Sequence, residues 1–380
     1  MADHDGDAGR RTGGRGVGPG RDLVRVVEPS AWPVPTRATL REVARRAGVH
    51  PATASRALNA ETRGLVAAQT AERILEAARL LEYRPNHLAR GLKTRRSATV
   101  GVIVPDLTNP LFPPIVRGVE DFLVAEDYVT LIANTDNDEE REARVFDEMR
   151  NRHVDGLIVA TARRSHPALL EAVRSGMPVV LVNRVVEEHA VSSVSVDDRV
   201  GIGRALEHLV ALGHRDIAHI AGPQDLSTTH GRYEGYRAGL RRAGLKLDRR
   251  LVVYARALSE EEGYRCAEEL LVRNASFSAI LAGNDMLALG VLRSLRGRGL
   301  ACPEALSLVG FNDMPFMDRV APPLTTVHIP HYDIGFEAAR LLCQQMQGAD
   351  APPQAVLLPP ELVVRESTAP PARAVRTTAS

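Results

Sequence analysis

No run of about twenty apolar residues, the length a membrane-spanning helix needs, occurs anywhere in the 380 residues. The N-terminal stretch MADHDGDAGRRTGGRG lacks the apolar core of a secretory signal, so the expectation is a cytoplasmic protein with no membrane partner. Cysteine is scarce: Cys266, Cys302 and Cys343 are the three present, far apart, with no CxxC spacing and no His/Cys cluster. That argues against a zinc site and a disulfide framework, and for three small buried hydrophobes. Also missing from any strand-to-helix junction are a GxSxG elbow, a Walker loop, an HExxH pair and a complete dinucleotide fingerprint. GRGVGPG near the N-terminus has no strand before it, and GIGRAL at Gly201 lacks the third glycine. The expectation is a non-enzyme with no catalytic residues, no metal and no cofactor.

What is present is charge, unevenly spread. The formal net charge is only +1, yet Arg37 to Arg96 holds thirteen Arg/Lys against five Asp/Glu. Such a local excess points to a polyanionic partner for that segment, with a solvated basic face as the alternative. The length allows two or three domains at about 100 to 200 residues each.

Residues 1–36 are rich in Gly, Arg and Asp and poor in apolar side chains, so they are expected to stay disordered. Thr39 and Glu42 then form a T-x-x-E capping box, followed by a helical stripe of Leu40, Val43, Ala44 and Ala47 that Gly48 stops. A second helix opens with Pro51 in its first turn and directs Ala54, Ala57 and Leu58 inward. A third, over 68–82, carries Ile74, Leu75, Ala78 and Leu81. After Pro85, Asn86 to Ser97 is a helix candidate too short to be stable alone.

Beyond Ala98, runs such as TVGVIVPD, YVTLIAN, VDGLIVAT, PVVLVN, IAHIAG, SAILAG and LSLVGFND alternate with helical stretches. That alternation predicts parallel sheets covered on both faces. Several runs end in Asp or Asn, namely Asp106, Asn134, Asn183, Asn284 and Asn312. Ligands in open parallel sheets lie beyond the strand carboxyl ends, so these residues outline a pocket; plain turn formation is the alternative for any one of them.

Two helices joined by the tight AGV turn, the second with Thr53, Ser55 and Arg56 facing outward, are what a helix-turn-helix needs to enter the major groove. Arginine can grip a guanine edge bidentately, and hydroxyls can hold phosphates. A generic helical hairpin is the alternative.

At this point the chain resembles bacterial transcription regulators of the lactose-repressor (LacI/GalR) family, from Thr39 to Ser367. The resemblance rests on TLREVARRAGVHPATASRALN, YRPNHLARGLKTRRSATVGVIVPDLTNPLF, RHVDGLIVA, HLVALGHRDIAHIAGP, GRYEGYRAGL, AGNDMLALG, LSLVGFND and PPLTTVHIP. It implies an all-α helix-turn-helix headpiece followed by an α/β periplasmic-binding-protein-like core of two subdomains with parallel sheets. The implied divisions are a headpiece over 37–84, a hinge helix and linker over 85–97, and a core over 98–367. Subdomain 1 takes about 98–196 and 328–357, subdomain 2 about 197–327 and 358–367, and 368–380 form a disordered tail.

The implied partners are double-stranded operator DNA and a small-molecule effector, a sugar or related metabolite, bound by a homodimer or a tetramer built from it. The implied DNA-contacting residues are Thr39, His50, Pro51, Ala52, Thr53, Ser55, Arg56, Asn59 and Tyr83, with Asn86, Ala89, Arg90 and Leu92 in the hinge. Leu92 matches the family leucine that wedges between bases in the minor groove. The implied effector-binding positions are Asp106, Phe112, Asn183, Arg184, Thr228, Arg232, Asn284, Asp285 and Asn312, with Arg232 and Asp285 foremost.

The chain departs from the family pattern in places. His50 replaces the usual N-cap serine, a change expected to weaken the recognition helix by about 1 kcal/mol unless the imidazole contacts a phosphate. Ala54 replaces a customary valine, and the loop from Ala60 to Leu65 is about two residues longer. Asn183 and Asn312 stand where aspartates are common, so the familiar effector cannot be assumed and a different sugar, a polyol or a nucleoside becomes a candidate. The sign of regulation, and whether the effector induces or corepresses, stay open, and a sugar-binding protein without DNA function is the remote alternative.

Overall fold

A computed structural model describes residues 38–59, 62–83, 96–188, 190–273, 275–348 and 352–371. The N-terminal extension and the hinge positions Asn86, Ala89, Arg90 and Leu92 lie outside the described residues, as do Ala60 and Glu61 of the long loop. The chain divides into two compact units, Met1–Pro85 and Asn86–Ser380.

The first unit contains helices α1 (Leu40–Arg46), α2 (Pro51–Leu58) and α3 (Ala68–Leu80). Thr39 and Glu42 cap α1 reciprocally: the Thr39 amide donates to Glu42 Oε2 at 2.6 Å and the Glu42 amide to Thr39 Oγ1 at 3.4 Å. The Thr39 amide and hydroxyl, both donating to Glu42 Oε2, hold the Glu42 carboxyl below its ordinary range. Gly48, at φ +65°, reverses the chain after α1 in a conformation only glycine adopts without strain. The core unites Val43 and Ala44 with Ala54, Ala57, Ala71, Ile74, Ala77 and Ala78. Leu75, expected in the α3 stripe, is instead 37% exposed. Ala71, Ile74 and Ala78 already define the inward face, and the position after Ile74 is rotated by about 100° from it.

The second unit holds two six-stranded sheets. One contains β1 (Thr99–Val104), β2 (Val129–Asn134), β3 (Gly156–Val159), β4 (Val179–Val182), β5 (Ser192–Val196) and β11 (Ala355–Leu358), in the order β11-β5-β4-β3-β1-β2. The other contains β6 (Ile217–Ala221), β7 (Val252–Tyr254), β8 (Ala279–Ala282), β9 (Ser307–Asn312), β10 (Thr325–His328) and β12 (Glu361–Val363), in the order β12-β10-β9-β8-β6-β7. Every pairing is parallel except β10 with β12. The central strands are buried along nearly their whole length, which is why they read as short apolar runs dominated by Val, Ile and Leu. The short β7 and β12, and the polar β5 and β10, carry little of that signal.

Helices flank the sheets: α4 (Phe112–Ala125), α5 (Glu139–Asn151), α6 (Pro167–Arg174), α7 (Asp198–Ala211), α8 (Ser227–Arg242), α9 (Glu260–Val272), α10 (Asp285–Gly297) and α11 (His331–Met346). The backbones of α4 and α11 touch. A Cβ on Gly118 would fall 2.0 Å from the Tyr332 carbonyl oxygen, and one on Gly335 1.9 Å from that of Ile115.

The chain passes between the sheets three times, from β5 into α7, from β10 into α11 and from β11 into β12. In each sheet the earliest strand lies between the next two, β1 between β2 and β3 and β6 between β7 and β8. Successive connections therefore leave in opposite directions and open a crevice at the strand carboxyl ends. Thr368 and Ala369, expected to begin a disordered tail, are tied down: Thr368 Oγ1 lies 3.0 Å from His208 Nε2, and the Ala369 amide donates to Ser307 Oγ at 3.0 Å. Partners on α7 and β9 hold what composition alone would have left loose.

Candidate DNA-reading helix and ligand cleft

In the first unit, Pro51 occupies the first turn of α2, where its missing N–H costs nothing, and Ala54 and Ala57 anchor the helix inward. Ala52, Ser55 and Arg56 are exposed, and Thr53 and Asn59 half-buried. The outer face thus offers a hydroxyl and a guanidinium, the groups that contact phosphates and base edges. His50 corrects the expectation of a lost cap. Its Nδ1 accepts the Ala52 amide at 3.2 Å, so the imidazole replaces the serine hydroxyl as cap. Thr39 is exposed at the start of α1, and Tyr83 is half-buried against the three-helix core.

In the second unit, a cavity of about 320 Å³ lies at the strand carboxyl ends, at the small end of the usual size for ligand sites. It brings together Asp106, Phe112, Asn183, Arg184, Thr228, Arg232, Asn284 and Asn312. Asn183 and Asn312 follow β4 and end β9 with φ of 64° and 113°, left-handed conformations that asparagine tolerates better than most residues. Asn284 caps α10, its Oδ1 accepting the Leu287 amide at 2.9 Å. Asp106 closes an Asx turn through the Thr108 amide and hydroxyl at 2.8 and 2.7 Å.

Arg232, on α8, is the hub of the cleft floor. Its Nε donates to Asp198 Oδ1 at 2.7 Å, one terminal nitrogen to the Gly283 carbonyl at 2.7 Å, and the other to Asn312 Oδ1 at 3.2 Å. The guanidinium carbon sits 3.8 Å from the Phe311 ring centroid, a stacked cation–π contact. Burial pushes the Asp198 carboxyl up to about 6, and the adjacent Arg232 opposes the shift.

Asp285 does not line the cleft. It is fully buried, with Oδ2 accepting the Met314 amide at 2.8 Å and Oδ1 the Thr326 hydroxyl at 2.6 Å. Burial raises its carboxyl to about 7. Its bonds pin the loop after β9 and brace β10, supporting the pocket wall from behind. Asn134 is likewise outside the cavity, its Oδ1 accepting the Leu107 amide at 3.0 Å.

Sequence reasoning missed Arg163, Asp225, Asp136, Asn137 and Arg256, which also line the cavity. They sit in loops a few residues beyond β2, β3, β6 and β7, past the strand-end positions that drew attention. The stretch TARRSHP after β3 carried a legible sign, two adjacent arginines at a strand exit. These two arginines bridge the subdomains: Arg163 pairs with Asp225 at 3.4 Å, and the Arg164 amide donates to the Asp225 carbonyl at 2.8 Å.

Two polar atoms of the cleft, Asn183 Oδ1 and Arg184 Nε, are buried without a hydrogen-bond partner. Buried polar groups are nearly always paired, which makes these two residues of the cavity lining candidates for bonding a ligand.

A helix-turn-helix unit followed by a two-sheet core with a polar cleft defines a DNA-binding transcription regulator. The sequence matches the model for bacterial regulatory proteins of the lacI family over residues 39–86, and that for a periplasmic binding protein-like domain over 206–368. It is 34% identical over 333 residues to the HTH-type transcriptional repressor CytR of Escherichia coli (strain K12), spanning 88% of this chain and 97% of that protein. Among solved structures it is similar to the transcriptional regulator CelR–cellobiose complex, with a TM-score of 0.67 and 33% identity, covering 87% of this chain and all, 100%, of that one. The lac repressor dimer bound to operator and the anti-inducer ONPF superposes with a TM-score of 0.78 at 26% identity, over 88% of this chain and 99% of that one. The chain belongs to the lacI family of bacterial regulatory proteins.

Proposed function

We propose that this regulator is a cytoplasmic, non-catalytic repressor that binds operator DNA as a homodimer and changes its grip when a small metabolite fills the cleft. The observation that carries the reading is the pair of orphaned buried groups, Asn183 Oδ1 and Arg184 Nε, on two residues that line a cavity between two sheets. The same chain carries a capped recognition helix with Ser55 and Arg56 outward. No helix among the described residues is long and apolar enough to cross a membrane. The structural relatives support both halves: one is described as a dimer bound to operator, another as a cellobiose complex.

Effector binding would act by differential affinity for two arrangements of the subdomains, and the coupling is reciprocal. The bridge from Arg163 and Arg164 to Asp225 already spans the cleft, so a ligand that adds contacts across it would favour the arrangement in which that bridge forms. The test is selection of genomic fragments by the purified full chain at physiological ionic strength, followed by fluorescence anisotropy on the enriched site with and without a metabolite panel. Enrichment of a discrete site whose affinity moves with one compound supports the reading. Binding no tighter than to bulk DNA, or binding indifferent to every compound that stabilises the protein, overturns it.

A further inference from the structure

Charge bookkeeping among the described residues of the cleft leaves one buried group over, Arg256 being exposed. Asp106 is taken by the Thr108 amide and hydroxyl, Asp136 by Arg141, Asp225 by Arg163, and Arg232 by Asp198. Arg184 is the exception. It follows β4, is 6% exposed and lines the cavity, and its Nε has no partner. Among the described residues no carboxylate forms an ion pair with its guanidinium: Glu142 and Asp225 act on it only through space, against the like charges of Arg163 and Arg232. Burial lowers it only to about 10, so it stays protonated at neutral pH. A buried cation is tolerated when it is paired, and a single unpaired one is costly. Sugar hydroxyls could accept its hydrogen bonds and would leave its charge without a direct partner; an anion supplies both.

The neighbouring orphan narrows the choice. Asn183 Oδ1 is an acceptor, so the ligand group beside it must be a donor. A deprotonated carboxylate or phosphate has no proton to give, whereas a hydroxyl does. We infer that the cleft takes an anionic polyhydroxy metabolite, a sugar acid or a sugar phosphate, with its negative group on Arg184 and a hydroxyl donating to Asn183. This rests on the effector-site reading of the cleft and specifies its ligand. Carboxylate and phosphate share the chemistry that Arg184 recognises, and the experiment separates them.

The experiment is thermal unfolding of the full chain and of its Arg184→Met variant at constant ionic strength, with millimolar inorganic phosphate, glucose 6-phosphate, gluconate or glucose. The wild type is expected to gain several degrees with at least one anion and less with glucose. A response to phosphate and glucose 6-phosphate marks a phosphorylated ligand, and a response to gluconate a sugar acid. Arg184→Met should abolish the anion response and unfold, ligand-free, no lower than the wild type, because it removes an unpaired buried charge. The inference is overturned if no anion shifts the wild type beyond chloride, if the shift survives in Arg184→Met, if glucose shifts it as much as its charged counterparts, or if the ligand-free variant is much less stable. A neutral sugar that stabilises the protein and moves operator affinity would sink this inference while leaving an effector-controlled regulator standing.

Discussion

Arg232 and Asp198 meet at 2.7 Å with side chains 2% and 11% exposed, joining α8 to the first turn of α7 beneath the cleft. Because neither charge reaches bulk water, removing one strands the other. Asp198→Ala is expected to destabilise the protein by about 3–5 kcal/mol. Adding Arg232→Met to that variant should recover much of the loss. Urea unfolding of the two variants measures the difference, and equal stabilities would show that the pair has no energetic coupling.

Acid should weaken the fold through buried histidines. Burial holds His166, His219 and His331 down at about 4 against an ordinary value of 6.5. The unfolded chain therefore takes up protons first as pH falls through 6.5, and stability drops progressively until the folded-state values near 4 are passed. The three together should remove a few kcal/mol, on the order of 1 kcal/mol or more each. Unfolding midpoints across this range give the slope, which His331→Gln should make shallower; an unchanged slope would mean that His331 does not titrate there.

The imidazole cap on α2 is separately testable. His50→Ala should cost about 1 kcal/mol of local stability, and His50→Ser should restore most of it. Hydrogen exchange at the Ala52 amide reads this directly, since that N–H donates to His50 Nδ1. Exchange as slow in His50→Ala as in the wild type would remove the cap.

That cap marks a limit of reading the sequence. Thr39 and Glu42 were recognisable because a hydroxyl and a carboxylate at that spacing have one common use. Histidine has several, and only the rotamer shows which nitrogen meets which amide. The α/β alternation was legible in the buried strands, whose runs are apolar, and hidden in the serine-rich β5, whose Ser192 hydroxyl accepts from the Gln345 side chain and the Gln354 amide. Within the cleft, strand-end residues could be anticipated from where parallel sheets bind ligands. Asp285 could not be separated from them, because pattern alone does not tell a carboxylate facing a ligand from one bonded to the Met314 amide and the Thr326 hydroxyl.

Close approach of α4 and α11 makes Gly335 intolerant of a side chain. With a Cβ 1.9 Å from the Ile115 carbonyl oxygen, Gly335→Ala must push two helix backbones apart. A loss of about 1–3 kcal/mol is expected, the range for overpacked cores. Thermal unfolding checks it, and a neutral result would mean that the helices are free to part.

Arg56, exposed on α2, should carry discrimination between operators rather than bulk attraction. Arg56→Ala is expected to cost about 1–3 kcal/mol on the selected site and to relax preference at one base pair. Competition among operator variants reads it; unaltered selectivity would move the reading face elsewhere.

The three chain passages between the sheets act as a triple thread. A single tether would let the halves swivel in any direction, whereas three running side by side leave mainly one axis free. Under the function proposed above, an occupant of the cleft would then be felt at the far ends of the sheets mainly as more or less rotation about that axis. A ligand's size and charge would thereby be reduced to a single angle.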